Sequence, residues 1–230
     1  MKRRYFLTAG GALTLFACAT PPRGSFDAAQ APAPDWRVGD SWTFRRTDGF
    51  NNVPRGMITR SVDSIDQDGI RIVTRNDAGI ALDYAMFPSP GVELSGTLSE
   101  DGPVRGVFMP HLLMYDFPLY SGKTWQQSLL RTDANGLRTF MTVSVRVDGW
   151  EAIRAGGATH RALVIRRTFM LGPRDPFSGP LHREELEWYA PELRGAAHMR
   201  TKEYLVSWHR RFTWIPGDRF IYQLEAFHLT

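Results

Sequence analysis

The chain of 230 residues has room for one good-sized domain or two small ones, and its 43% hydrophobic and 23% charged residues are ordinary globular usage. This composition excludes a disordered chain, a collagen and a coiled coil, and a mean hydropathy of -0.30 excludes a multi-span membrane protein. The net charge of +4 falls to +1 without the basic start of the chain, so the remainder lacks the dense positive surface that a nucleic-acid partner requires.

The first residues have the pattern of a bacterial export signal. The basic residues Lys2, Arg3 and Arg4 precede an apolar stretch over 5–16, and small residues then lead to Cys18. This stretch is shorter than the ~20 apolar residues that a membrane-spanning helix needs. We therefore predict a signal peptide over residues 1–17.

Two short motifs in this segment resemble known export signals. The letters LFAC at 15–18 resemble the lipobox of bacterial lipoproteins, although Phe16 replaces the usual small or β-branched residue. The resemblance implies that Cys18 carries fatty acyl chains such as palmitate, and Ala19 after it implies an outer-membrane anchor facing the periplasm. The letters RRYFL at 3–7 resemble the twin-arginine export motif. The alternative is that the cysteine is a small buried hydrophobe in an ordinary signal peptide.

The next segment, residues 18–35, is rich in alanine and proline and has no hydrophobic periodicity. Such a composition predicts an extended tether between the lipidated Cys18 and a single domain over residues 36–230. Cys18 is the only cysteine of the chain, so the lipidated protein has no disulfide and depends on its core for stability.

Beyond Trp36 the recurring signal is a short run with period two between turn residues. In Met141–Asp148 apolar and polar residues alternate, which predicts an antiparallel strand with one buried face. No stretch has a sustained helical stripe, and the best helical candidate, His111–Tyr115, is short. The other strand-like runs are Ser41–Arg46, Met57–Ile65, Ile70–Arg75, Ala81–Phe87, Val104–Met109, Thr124–Leu130, Arg161–Phe169, Glu184–Tyr189, His198–Val206 and Arg219–Phe227.

This pattern predicts an all-β fold with little helix. About 10–11 strands would form a single curved antiparallel meander, closing on itself as a half-barrel or as a two-sheet sandwich. There is also an internal echo, because Gly39–Trp42 and Gly122–Trp125 each combine a glycine turn with a strand led by tryptophan. The echo indicates either duplication of a hairpin unit or two unrelated hairpins that use the same arrangement of residues. In both cases it predicts that Trp42 and Trp125 are core anchors.

Four segments resemble a group of uncharacterised exported proteobacterial proteins. They are VGDSWTF at 38–44, FPLYSGKTW at 117–125, residues 155–165, and WYAPE at 188–192. The third segment departs from the pattern by one extra residue and by His160 in place of an aromatic residue. The resemblance implies a β-rich, periplasm-facing fold of unknown function, and it supplies no catalytic residues.

Motifs for catalysis, metals or cofactors do not emerge from the sequence. The letters HREE at 182–185 lack the second histidine of a zinc helix, and the six histidines have no ligand-like spacing. Glu185 and Glu187 share one side of a predicted strand, which we expect to be a solvated face. We therefore expect no catalytic residue, no metal, no cofactor and no enzymatic activity.

Two segments are candidate ligand surfaces. The aromatic and cationic residues Trp208, Arg210, Phe212 and Trp214 alternate along one strand-like run. Exposed, this stripe would bind sugars, peptidoglycan or lipid head groups; the alternative is a strand whose aromatics line the core. The second is the apolar stretch at 108–115, which would plug the open end of a half-barrel or form the lip of a hydrophobic cavity. Its candidate contact residues are Met109 and Leu113.

The leading hypothesis is a non-enzymatic, outer-membrane lipoprotein that binds an apolar ligand or an envelope partner on its concave face. The fold analogy is with the half-barrels that carry lipoproteins in the periplasm, and an analogy of fold does not fix function. One alternative is an envelope hydrolase that gathers a histidine and a carboxylate from separate strands. The other is a structural accessory subunit of an envelope complex.

Overall fold

The computed structural model describes residues 29–98, 105–173, 179–207 and 213–230. They form twelve β-strands and one short 3₁₀ helix, and within them no helix is long and apolar enough to cross a membrane. The strands are β1 (Ser41–Asp48), β2 (Pro54–Asp66), β3 (Gly69–Asn76), β4 (Ala81–Phe87), β5 (Val92–Gly96), β6 (Gly106–Leu113), β7 (Thr124–Asp133), β8 (Arg138–Ala155), β9 (Ala158–Leu171), β10 (Leu181–Ala190), β11 (Gly195–Ser207) and β12 (Thr213–His228), and the helix is Pro191–Leu193.

The predicted all-β fold is confirmed. Each of the eleven strand-like runs corresponds to a strand, and only β5 was not predicted. The helical candidate His111–Tyr115 is wrong, because its first three residues belong to β6. Phe108 and Leu112 of that strand both have fully buried side chains, and main-chain pairing of β6 with β5 and β7 holds it in the extended form.

The sheet is a closed antiparallel barrel. Every strand pairs with its neighbours in sequence, and β1 also pairs with β12 from Ser41↔His228 to Asp48↔Phe220. The meander is therefore as predicted, but a half-barrel and a two-sheet sandwich are both replaced by one closed sheet. The weakest connection in the closed sheet is between β4 and β5, which pair only at Met86↔Ser95.

Alternation along the strands separates an inner from an outer face. On β8, Met141 and Val145 are buried, whereas Phe140 points outward and is 79% exposed. The register places Val145 opposite Arg167 on β9, and Arg167 opposite Glu185 on β10. Because residues directly opposite each other share a face, these charged side chains lie inside the barrel.

The two ends of the barrel differ. We call the end where β1 begins the capped end, since the segment before β1 and the 3₁₀ helix lie there. Ala31 and Leu119 are fully buried and exchange two main-chain hydrogen bonds, each 2.8 Å from nitrogen to oxygen. The Thr230 amide donates to Oδ1 of Asp40 at 2.8 Å. The segment that leads from the N-terminus and the C-terminus therefore share the capped end.

The internal echo has a structural counterpart at this end. Gly39 and Gly122 have φ of 95° and 87°, a backbone region in which glycine is favoured. In each copy the glycine amide donates to the carbonyl of a valine on a neighbouring strand. The amide of that valine donates to the carbonyl of the residue that follows the glycine. The four bonds are Gly39 N to Val62 O (3.0 Å), Val62 N to Asp40 O (2.9 Å), Gly122 N to Val147 O (2.8 Å) and Val147 N to Lys123 O (2.9 Å).

The tryptophans that follow these turns anchor the two opposite sides of the barrel. Trp42 is buried in one hydrophobic cluster of the core, and Trp125 is half-buried and packs against a second cluster. Each indole nitrogen donates to a main-chain carbonyl, from Trp42 to Leu193 at 2.7 Å and from Trp125 to Leu113 at 3.1 Å. Their strands β1 and β7 lie six places apart in the order of twelve, so the repeated unit occurs on opposite walls.

Candidate functional site

A cavity of about 200 Å³ lies inside the barrel. Towards the capped end its wall is aromatic, and towards the opposite end its lining includes Leu82, which is 46% exposed. A cavity of roughly 150 Å³ lined by apolar side chains is enough to hold benzene. The space therefore fits one ring or a short branched chain with a polar group.

The aromatic wall consists of Trp36, Trp42, Phe44 and Phe87. Trp36 packs edge-to-face on Phe87 and on Trp42, with ring centroids 5.5 and 6.5 Å apart. Its indole nitrogen donates to the carbonyl of Arg194 at 2.8 Å. These contacts fix the rings before any ligand arrives, which reduces the entropy that binding has to offset.

Asp40 joins the elements of the capped end around this wall. Its carboxylate is fully buried and accepts hydrogen bonds from the Thr230 amide (2.8 Å), the Arg37 amide (3.0 Å) and the Arg194 guanidinium (2.8 Å). Burial alone would raise the pKa of Asp40, but these donors together hold it below its ordinary value. Asp40 is therefore an ionised structural group.

One side of the cavity is built from ion pairs on β9, β10 and β11, and we call it the paired wall. It consists of Arg183, Glu185 and Glu187, which border the cavity, and of Arg167 and Glu203, which pair with them; all five are buried. Arg167 Nη1 lies 2.5 Å from Glu187 Oε2, and Arg183 donates to Glu185 Oε1 at 2.9 Å and to Glu203 Oε1 at 2.8 Å. Within this wall each carboxylate has an arginine partner.

Tyr115 extends the paired wall from the segment after β6. Its hydroxyl donates to Glu187 Oε1 at 2.7 Å, and the guanidinium carbon of Arg167 lies 4.5 Å from its ring centroid. Arg167 Nε also donates to the Met114 carbonyl at 3.1 Å. Burial first, and then the charge of Glu187, raise the pKa of Tyr115 well above its ordinary value. The phenol therefore keeps its proton and acts as a donor.

The other side carries two carboxyl groups, Asp83 on β4 and Glu93 on β5, which we call the acidic wall. Asp83 accepts a hydrogen bond from the Thr97 hydroxyl at 2.7 Å. Glu93 is 8% exposed, borders the cavity, and makes no hydrogen bond or ion pair with any residue that the structure describes. Its carboxyl packs against Gly96, where a Cβ atom would clash with it.

The electrostatic surroundings keep Glu93 protonated at neutral pH. Burial, followed by the negative charges of Asp83 and Glu185, raises its pKa to about 8. The positive charges of Arg60 and Arg167 act in the opposite sense and do not compensate. A carboxyl group with a strongly raised pKa that borders a cavity is a typical feature of functional sites.

Several residues that the sequence singled out lie outside the described ranges. They are Arg3, Arg4, Cys18, Trp208, Arg210 and Phe212. Trp214 is described, is 49% exposed, and has its ring centroid 5.3 Å from that of His182 and 6.2 Å from that of Tyr204. It does not border the cavity.

In the second candidate surface, the apolar stretch at 108–115, the residues differ in exposure. Met109 is 64% exposed on the outer face of β6, and Leu113 is half-buried on the same strand. Because β6 and β12 lie six places apart, Met109 and Trp214 occupy opposite sides of the barrel. The apolar stretch is part of the wall rather than a plug, and only Met114 and Tyr115 of it border the cavity.

The histidines do not gather at the cavity. None of the five described histidines borders it, and no group of three or more His, Cys, Asp or Glu side chains within the described ranges could hold a metal ion. His160 lies with Nδ1 2.5 Å from Glu192 Oε1 and Nε2 3.1 Å from the Ala155 carbonyl, so both ring nitrogens are engaged. Burial, with a smaller contribution from Arg200, lowers the pKa of His198 to about 4.

Neither the paired wall nor the acidic wall of the cavity was predicted from the sequence. The predicted solvated face of Glu185 and Glu187 is wrong, since this face of β10 points into the barrel. The available signal was Arg183, which alternates with the two glutamates and supplies the opposite charge on the same side of the strand. Glu93 had no such signal, because its strand was not predicted.

Two solved structures are similar to this chain in fold. No family model and no curated protein matches the chain. A provisionally assigned lipoprotein from Parabacteroides distasonis is 16% identical, with a TM-score of 0.52 over 87% of this chain and 100% of its own. A provisionally assigned exported protein with a YmcC-like fold from Bacteroides fragilis is 13% identical, with a TM-score of 0.51 over 87% and 100%.

A third solved structure, the hypothetical lipoprotein YmcC from Escherichia coli K12, is 10% identical and has a TM-score of 0.44 over 81% of this chain and 83% of its own. The first two structures show that the chain is similar to them in fold. At such identities the likeness carries no information about ligand or site.

Proposed function

We propose that the protein is an exported, lipid-anchored envelope protein whose barrel binds a small, largely apolar ligand. The observation that carries this proposal is the cavity beside Trp36, Trp42, Phe44 and Phe87. Protein interiors are packed as densely as organic crystals, and unfilled volume destabilises the fold. A preformed space with an aromatic wall and a few polar groups is the usual form of a small-molecule site.

The position of the capped end supports anchoring through Cys18. The segment that leads from the N-terminus reaches the barrel at the capped end, and the lining of the cavity extends from that end to Leu82 near the opposite end. A lipid on Cys18 would therefore attach the protein to the membrane from the side of the capped end. The names of the two structural neighbours, a lipoprotein and an exported protein, agree with this arrangement.

Ligand binding is tested by filling the cavity. Ala85 borders it from β4, and Ala85→Leu adds bulk where the ligand would lie. Benzyl alcohol serves as the probe, followed through the fluorescence of Trp36 and Trp42. We expect saturable binding to the wild type, and at least ~10-fold weaker binding to the variant because the space is occupied.

The matched control is Ala81→Leu, which adds the same bulk to an exposed position of the same strand. Circular dichroism shows whether both variants fold. Equal affinity in Ala85→Leu and the wild type would contradict the proposed site.

Anchoring is tested by metabolic labelling with palmitate in a bacterial host. We expect the wild type to take up label and to remain with the membrane fraction, and Cys18→Ser to lose both properties. The double variant Arg3→Lys with Arg4→Lys tests the export route. Label retained in Cys18→Ser would overturn the lipid anchor.

A second candidate function, docking of an envelope protein, is favoured by the end opposite the capped end. Large apolar side chains from several strands and connections are exposed around that end, including Phe50, Ile80, Leu82, Phe140, Leu205 and Trp214. Exposed apolar surface of this kind marks interaction sites. A photo-crosslinking residue at Phe140 should capture a partner in the intact envelope, and the same residue at Tyr120, near the capped end, should not.

A further inference from the structure

The charge balance of the cavity lining depends on Glu93. Among the described residues of the lining, Arg183 is engaged by Glu185 and Glu203, Arg194 by Asp40, and Glu187 by Arg167. The remaining lining charges are Arg60 and the two carboxyl groups of the acidic wall, Asp83 and Glu93. With Glu93 ionised the lining carries four carboxylates and three arginines, and with Glu93 protonated the numbers are equal.

Glu93 is the group that a ligand would most change. It is more than nine-tenths buried, borders the cavity, and has no hydrogen-bond or ion-pair partner among the described residues. The charged groups that act on it are Asp83 from β4, Glu185 from β10, Arg60 from β2 and Arg167 from β9. Two of these are carboxylates, and an ionised buried carboxylate without a partner is strongly unfavourable.

The aromatic wall next to these carboxyls is suited to positive charge. The faces of tryptophan and phenylalanine rings attract cations, most strongly when water is excluded. One ring of the aromatic wall already makes such a contact, since the guanidinium carbon of Arg60 lies 5.7 Å from the ring centroid of Phe44. Trp36, Trp42 and Phe87 provide further rings on the same cavity.

We propose that the cavity binds a small organic cation, an ammonium group carried on an apolar body. The ammonium would lie at Asp83 and Glu93, and the apolar body would lie against Trp36, Trp42 and Phe87. This inference rests on the proposed ligand-binding function and specifies its ligand class. A cation at this position supplies the missing charge, so binding favours the ionised form of Glu93 and releases its proton.

The test compares two probes of nearly equal shape, benzylammonium and benzyl alcohol, by isothermal titration calorimetry at pH 7 on the wild-type chain. We expect benzylammonium to bind ~10-fold or more tightly than the alcohol, because hydrogen bonds between charged groups contribute more than neutral ones. Its heat of binding should also depend on the buffer, since a proton leaves Glu93. Benzyl alcohol should show no such dependence.

The variant Glu93→Gln tests whether Glu93 causes the preference for benzylammonium. We expect this variant to lose the preference for benzylammonium while it keeps its affinity for benzyl alcohol. Glu184→Gln, an exposed position on the outer face of β10, is the matched control and should behave as the wild type. A preference that persists in Glu93→Gln overturns the inference, and Asp83→Asn provides a second variant in case the first does not fold.

The outcomes separate this inference from the function on which it rests. Binding of both probes with equal affinity would leave ligand binding intact and overturn the preference for a cation. Binding of benzyl alcohol alone would do the same and would indicate that protonated Glu93 donates to a neutral ligand. If neither probe binds, the cavity is not a ligand site and both proposals fail.

Discussion

The paired wall and the acidic wall of the cavity differ in whether their buried charged groups have partners. In the paired wall Arg167 and Glu187 lie 2.5 Å apart and Tyr115 donates to the same carboxylate. In the acidic wall Glu93 is also buried, with 8% exposure against 2% for Glu187, but has no partner among the described residues. A paired buried group is explained by the fold, whereas an unpaired one is a cost that the fold alone does not explain.

This contrast separates structure from function inside one barrel. The ion pairs of the paired wall connect three adjacent strands, and they would be present with or without a ligand. Glu93 instead avoids its unfavourable charge by keeping a proton, because its pKa is raised to about 8. Sites at which a protein tolerates an unsatisfied group are those where function is expected.

The largest expected loss of unfolding free energy comes from removing an ion pair of the paired wall. Arg167→Met removes the charged partner of Glu187 and leaves its buried carboxylate with only the hydroxyl of Tyr115 as a donor. Breaking one side of a buried ion pair costs about 3–5 kcal/mol of unfolding free energy. Urea denaturation followed by circular dichroism measures this loss.

The neighbouring arginine of the same strand is the control. Arg166 points outward and pairs with Asp148 at an exposed position. Arg166→Met should cost less than about 1 kcal/mol, since surface ion pairs contribute little. Similar losses for both variants would contradict the structural role of the paired wall.

The second prediction concerns the acidic wall and its dependence on pH. The pKa of Glu93 is about 8 in the folded protein and has an ordinary value of 4.5, so between these values the folded state holds a proton that the unfolded state has lost. Stability from this group is therefore complete below pH 4.5 and is lost as the pH rises towards 8. The slope reaches ~1.4 kcal/mol per pH unit for one fully buried group, and Glu93→Gln should remove it.

His198 acts in the opposite direction over part of this range. Burial lowers its pKa to about 4 from 6.5, so its contribution to stability is lost as the pH falls from 6.5 to 4. The window from pH 6.5 to 8 therefore isolates Glu93. The raised pKa of Glu203 is common to the wild type and to Glu93→Gln, so its contribution cancels when their stabilities are subtracted at each pH. Parallel curves for the wild type and Glu93→Gln over this window would show that Glu93 is ionised in the folded state.

Much of the fold is visible in the sequence because alternation is local. Met141–Asp148 predicts β8 from its own residues, since its apolar side chains point inward and its polar ones outward. Closure of the barrel was not predictable in this way. It depends on pairing between β1 and β12, whose residues lie far apart in sequence and carry no signal for each other.

The candidate site was missed for a single physical reason. In β5 the alternation is reversed, so that Glu93 and Ser95 are buried while Val92 and Leu94 are only half-buried. Glu185 and Glu187 reverse the rule on β10 in the same way. Reasoning from polarity assigns such residues to the surface, and only the register of the closed sheet shows that they point inward.

The smallest expected effect compares two hydroxyl hydrogen bonds. Thr97 donates to the carboxylate of Asp83 at 2.7 Å, whereas Thr43 and Thr59 share a bond of 2.9 Å between neutral hydroxyls. Hydrogen bonds to charged groups contribute more than neutral ones, so Thr97→Val should cost about 1.5 kcal/mol and Thr43→Val about 0.5 kcal/mol in thermal unfolding at pH 7. Equal costs would indicate that the bond to Asp83 contributes no more than a bond between neutral hydroxyls. In that case Asp83 would offer an organic cation no advantage over a neutral ligand.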